Sequence, residues 1–198
     1  MARAFKSTPR GFTARLDSTE RDLLRGLFQD VAQVLASGDN PGHDGGAPAG
    51  EVDPLWALVG MDPRTHAPGF AAPTDAAERR LLPDAVRGDA DAALEYRRLT
   101  ETSLREAKTG NLKAAALALE TGNLVLDTAA ARQFAQALND VRLVLAERLD
   151  LRDEADAERI GSMTDARKVE DVDEYLALVY NFVTWLQETL MQALLGDL

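Results

Sequence analysis

Apolar residues recur at steps of three and four from Asp127 to Leu149, so that Phe134, Leu138, Val141, Leu145 and Leu149 share one face of a helix opened by Asp127. Leu143 and Val144 widen that face, which predicts a C-terminal half enclosed by several neighbours. The same periodicity predicts three more long helices. Ser18–Ala36 follows the capping box Asp17-Ser18-Thr19-Glu20 and turns Leu23 or Leu24, Leu27, Val31 and Val34 or Leu35 inward. Asp89–Glu120 has Leu104, Leu112, Ala115 or Ala116, and Leu119 as its expected inner face, with a kink or surface weak point at Thr109-Gly110-Asn111. Val172–Leu195 aligns Tyr175, Leu178 or Val179, Phe182, Trp185 or Leu186, Thr189, and Leu190 or Met191. Its aromatics make it the expected other half of the core.

At the amino end two short extended segments, Arg3–Ser7 and Gly11–Leu16, are joined by Pro9-Arg10-Gly11, whose Pro and Gly suit a tight connection, and predict a hairpin. Leu124-Val125-Leu126 is a short extended link into the Asp127 cap. Asp75–Leu82 is a short helix stopped by Pro83, and Asp53-Pro54 opens another, with Trp56 and Leu58 directed at the core. Met61–Pro73 is irregular, and the acidic stretch Leu151–Met163 is a solvated helix or loop. Residues 37–52 hold five glycines and two prolines and end on their one larger apolar residue, Val52, so burial cannot offset the entropy of ordering them. A flexible loop is expected there. The fold class that follows is mainly α: a single-domain helical bundle over residues 1–198 with a small N-terminal β-hairpin.

With 45% apolar and 28% charged residues in a chain of 198, a packed globular core is attainable. No apolar run reaches the roughly 18 residues of a membrane span, and MARAFKSTPRGF has no apolar stretch of the signal-peptide kind, so a cytoplasmic protein away from membranes is expected. The chain has no cysteine, which removes disulfides, thiolate nucleophiles and thiol switches. His43 and His66 stand in Gly/Pro-rich stretches without a ligand pattern. The phosphate-binding glycine motifs, G-x-S-x-G and H-E-x-x-H are all missing, and Asp153–Glu158 lacks the spacing of a calcium loop. Neither a catalytic residue nor a metal or other cofactor is therefore expected.

A net charge of −11 opposes direct attraction to nucleic acid or anionic lipid. Against it, Arg3, Lys6, Arg10 and Arg15 all precede the first acidic residue, Asp17. This basic patch fits edge-strand charges that discourage aggregation, or a contact with DNA phosphates or an acidic protein. Asn139, Asp140 and Arg142 interrupt the apolar half of the Asp127–Leu149 helix. Each buried group left unsatisfied there costs on the order of 1–3 kcal/mol. They form either a structural network with the last helix or with Arg79 and Arg80, or a polar surface for a partner.

In order and spacing, MARAF, ARLDSTERDLLRGLFQDV, DPLWALVGMD, RRLLPDAVRGDADAALEYRRLTE, LNDVRLVLAERLDL and YNFVTWLQETL resemble the AosR-like actinobacterial family of oxidative-stress transcription regulators. The resemblance covers nearly the whole chain except Ser37–Val52. It implies a mostly helical, non-enzymatic regulator that associates with an alternative sigma factor and promoter DNA, through a cysteine pair in the redox-sensing members. Here a disulfide switch is chemically impossible, because the chain lacks cysteine. The expectation is a transcription-associated protein acting through contacts with a sigma factor or the polymerase machinery, and reaching DNA only indirectly. An enzyme of unrecognised type using carboxylates, or a purely structural adaptor, are the alternatives, and nothing in the pattern specifies an oligomeric state.

Overall fold

In the computed structural model, which describes residues 2–37, 73–163 and 171–196, the elements run β1 (Arg3–Thr8), β2 (Gly11–Arg15), α1 (Ser18–Ser37), α2 (Ala76–Leu81), α3 (Ala90–Ala118), β3 (Leu124–Leu126), α4 (Thr128–Arg148), α5 (Glu154–Gly161) and α6 (Val172–Leu195). Every helix among the described residues opens on an aspartate. Asp75, Asp89, Asp127, Asp153 and Asp171 each accept a hydrogen bond from the backbone N–H three residues on. At α1 the Asp17 carboxylate accepts from Glu20 N–H while the Glu20 carboxylate accepts from Asp17 N–H, the reciprocal capping box. Such a cap stabilises its helix by about 1 kcal/mol.

Helix α4 is the axis of the molecule, and α1, α2, α3 and α6 all pack on it. Phe134, Leu138, Val141 and Leu145 are buried there, as their spacing predicts. Phe5 from β1 and Phe28 from α1 meet the Phe134 ring edge-on, at centroid distances of 6.0 and 5.5 Å, so one side chain joins sheet, first helix and central helix. Helix α5 is solvated except for Ile160, whose carbonyl accepts from Asn181 of α6.

The predicted hairpin is present and gains a third strand. Residues Leu124–Leu126 pair antiparallel with Phe12–Ala14, giving the order β1-β2-β3. Three residues are too few to carry a strand period, but Leu124 and Leu126 are buried and Val125 is exposed, the alternation of a half-covered strand. Gly11 turns the hairpin at φ +110°, and a Cβ there would collide with the Leu126 carbonyl oxygen.

Two expected faces are corrected. In α6 the buried line is Val179, Val183, Leu186 and Leu190, while Tyr175, Met191 and Trp185, 37% exposed, lie on the outer side. This helix is apolar almost all round, so its period does not choose a face. Contact with α4 and β1 selects the aliphatic one, leaving Phe182 and Trp185 to stack on each other at 6.3 Å. In α3, Leu112, Ala115 and Leu119 are buried as expected, but Leu104 is exposed and the N-terminal half buries Arg97 and Arg105 instead. The helix runs unbroken through Thr109-Gly110-Asn111, where Gly110 faces open space. The stretch 38–52, the short helix expected at Asp53, most of Met61–Pro73, and both histidines lie outside the described residues. No helix among the described residues is long and apolar enough to cross a membrane.

These burials set unequal costs for two truncations. Leu145→Ala is expected to destabilise by roughly 2–5 kcal/mol through lost transfer energy and the cavity left behind. Trp185→Ala is expected to lose only about 1 kcal/mol, the scale of an exposed aromatic pair. Urea unfolding of both variants measures the difference, and equal losses would place Trp185 in the core.

Candidate functional site

Helices α3 and α6 each pack along α4, and between them the surface opens into a groove of about 840 Å³, in the range of binding pockets. Helical spacing decides what faces it. Leu104, Ala107, Lys108 and Asn111 fall on one side of α3, and Arg132, Gln136 and Asn139 run along α4 at steps of four and three. Met191, Leu194 and Leu195 of the last turns of α6 form the opposite wall, and Phe12 reaches in from β2. Leu104, Met191 and Leu195 are 39, 42 and 65% exposed, so both rims are apolar and wet.

The floor is polar and cross-linked. Lys108 Nζ donates to Asp140 Oδ1 at 2.6 Å, joining α3 to α4, and Asp140 is only 2% exposed. Burial raises the Asp140 carboxyl above its usual pKa, and the Lys108 ammonium opposes that rise. Asn111 Nδ2 donates to Gln136 Oε1 at 2.7 Å across the same pair of helices. On the other side, Arg142 Nη1 donates to Gln187 Oε1 at 2.7 Å, and Gln187 Nε2 donates to the Ala135 carbonyl, joining α4 to α6. The Arg142 guanidinium also lies over the Tyr180 ring, 5.7 Å from its centroid, and its buried Nε has no hydrogen-bond partner among the described residues.

Of the residues singled out in the sequence, Asn139 and Asp140 line this groove and Arg142 braces it from behind. Arg79 and Arg80 do not join them. Arg79 donates to the Thr74 carbonyl, and Arg80 pairs with Glu147 at 2.8 Å, because α2 meets α4 near its C-terminal end. Arg152 also pairs with Glu147, and these two guanidinium groups, Arg152 foremost, hold the Glu147 carboxyl below the usual range. Arg3 and Arg15 are cross-strand partners and Lys6 stands opposite Thr13, while Arg10 occupies the turn. All four are exposed, and their side chains form no ion pair among the described residues.

A second buried cluster has no distinctive mark in the sequence. Arg105 pairs with Glu78 at 2.8 Å and Glu101 at 2.6 Å and donates to the Leu35 carbonyl. Arg97 pairs with Glu101 at 2.6 Å and Asp84 at 2.7 Å and donates to the Leu82 carbonyl. The signal was the run Arg97, Glu101, Arg105 at steps of four, which on a helix reads equally well as a surface ladder. Lys108 and Gln187 were missed for a simpler reason: nothing local marks the partner of a polar residue that lies 32 or 45 positions away. Among the described residues no group of three or more acidic or histidine side chains could hold a metal ion.

Fold and groove together define a small helical protein with an interhelical groove, on whose floor Lys108 pairs with Asp140 and Asn111 with Gln136. The chain belongs to the family described as Domain of unknown function (DUF2017), whose model matches residues 2–194. No curated protein and no solved structure matches it.

The raised pKa fixes the sign of a pH effect. An ionised Asp140 is less favourable in the folded than in the unfolded chain, so its penalty is absent at low pH and grows as pH rises through its titration. Without Lys108 nothing offsets that penalty. Lys108→Met is expected to cost about 3 kcal/mol near pH 7 and distinctly less at a lower pH on the protonated side of the Asp140 titration. Denaturant unfolding at the two pH values measures it. A loss independent of pH would contradict the pairing.

Proposed function

We propose that this protein is a non-enzymatic, transcription-associated regulator that acts through protein–protein contacts, with the α3–α4–α6 groove as its contact surface. The observation that carries the reading is the groove itself: apolar rims at Leu104, Met191 and Leu195 stand exposed over a floor on which Lys108 pairs with Asp140 and Asn111 with Gln136. Exposed apolar surface rimming a concavity is a mark of interaction sites. Its one buried acid, Asp140, is neutralised by Lys108, which suits recognition better than proton transfer.

The link to transcription comes from the resemblance to AosR-like regulators, and two of the stretches that carry it meet at this groove. LNDVRLVLAERLDL supplies Asn139, Asp140 and Arg142, and YNFVTWLQETL supplies Gln187. A sigma factor or a polymerase subunit is the partner that the resemblance supports. The net charge of −11 supports promoter contact through that partner rather than by the chain alone. A cysteine-free chain needs an input other than thiol oxidation. The raised pKa of Asp140 in a concave site favours one second reading, an enzyme using that carboxylate.

Affinity capture from the native host with the parent chain and with Leu104→Glu, followed by quantitative mass spectrometry, separates these readings. Sigma factor or polymerase subunits are expected with the parent and at least about tenfold depleted with the variant, the loss of one interface hot spot. Equal recovery by both proteins, or no such subunit with either, would contradict the proposal.

A further inference from the structure

The groove also carries information about the shape and charge of what it receives. Its walls are three helices whose backbone groups are satisfied within themselves, and among the described residues no sheet edge lines it. An extended peptide gains affinity chiefly by adding to a free strand edge, which is not on offer here. A helix needs only a trough with anchors at helical spacing. The floor from Thr128 to Asn139 spans eleven steps of α4, or about 17 Å at 1.5 Å per residue, the length of three helical turns.

Charge narrows the occupant further. Among the groove's charged residues Lys108 and Asp140 cancel, which leaves Arg132, exposed and without an ion-pair partner among the described residues. The chain has 33 acidic and only 22 basic residues, so this cation is not unpaired for want of carboxylates. On α4 it heads a polar line with Gln136 and Asn139, and the apolar rims stand on either side of that line. A complementary ligand presents a narrow polar line flanked by apolar residues, with an acid where it meets Arg132.

We infer that the groove binds an amphipathic helix of about three turns from a partner protein, seated between α3 and α6 with apolar anchors on Leu104 and Met191 and a carboxylate on Arg132. This rests on the reading of the groove as a protein-contact surface, and names the form and charge of the segment that fills it.

The probe is a displayed library of fifteen-residue peptides biased toward helix, selected in parallel on the parent, Arg132→Glu and Leu104→Asp proteins. Both substituted side chains are surface-exposed, so the variants retain the fold, as circular dichroism will verify. Because the chain has no cysteine, Leu195→Cys accepts a single fluorophore at the rim for titrating the winners. The parent is expected to enrich peptides with apolar residues at i, i+3 or i+4, and i+7 and an Asp or Glu between them. Leu104→Asp weakens these at least about tenfold, and Arg132→Glu exchanges the acid for Lys or Arg among the winners. Acid retained on Arg132→Glu overturns the charge assignment. Enrichment of proline-rich or alternating extended sequences overturns the helix while leaving a protein contact in place. A parent chain that sediments as a dimer dissociated by Leu104→Asp assigns the groove to a second copy, and a photoreactive label on Leu195→Cys that cross-links, within the monomer, to a residue outside the groove walls assigns it to the chain itself; either overturns the inference. If no peptide is enriched while capture of polymerase subunits still depends on Leu104, only the helix fails; if both fail, the contact-surface reading fails with it.

Discussion

A helix that packs against four neighbours leaves the polar residues of its covered faces without water, and α4 is in that position. Asp140 and Arg142 are the test of it. Each reaches sideways rather than outward: Asp140 to Lys108 on α3, Arg142 to Gln187 on α6. Removing either partner leaves a buried group uncompensated, which is costlier than the intact pair is stabilising. The two contacts therefore act less as sources of stability than as spacers that hold α3 and α6 at fixed positions along α4. The trough between them is the consequence, and Asn139, which faces solvent, lies in the gap.

The N-terminal half of α3 follows the same logic with charges in place of carbons. Arg97 and Arg105 occupy positions where an ordinary core would use leucine, with Glu78, Glu101 and Asp84 as their ion-pair partners and two backbone carbonyls as further acceptors. This cluster fastens α2 and the end of α1 to α3. Directional bonds of that kind admit one arrangement of the helices, whereas leucines of similar volume would tolerate several. It also leaves Leu104 without a place in the core, which is why that residue stands on the groove rim.

Much of this architecture is legible in the residues. Aspartates at helix starts, the three-and-four spacing of α4 and α1, and Pro9-Arg10-Gly11 each act through local physics, and the corresponding elements lie where that physics puts them. What fails is whatever depends on partners distant in sequence. Helix α6 is apolar on nearly every side, so only its neighbours decide that Leu186 goes in and Trp185 out. Leu124–Leu126 becomes a strand only because β2 is there to pair with it. Asp140 could be marked as a polar residue needing a partner, but Lys108 could not be chosen from the many cations on offer. The groove is a relation among α3, α4 and α6, and no single stretch encodes it.

The most direct test of the groove as the working surface is amide hydrogen exchange of the protein alone and with the purified sigma factor that the family resemblance supports as partner. Added protection is expected on residues 104–111, 128–140 and 187–195, with the basic sheet face around Arg3 and Arg15 unchanged. Binding that protects the sheet face and leaves those three segments as they were would contradict the account.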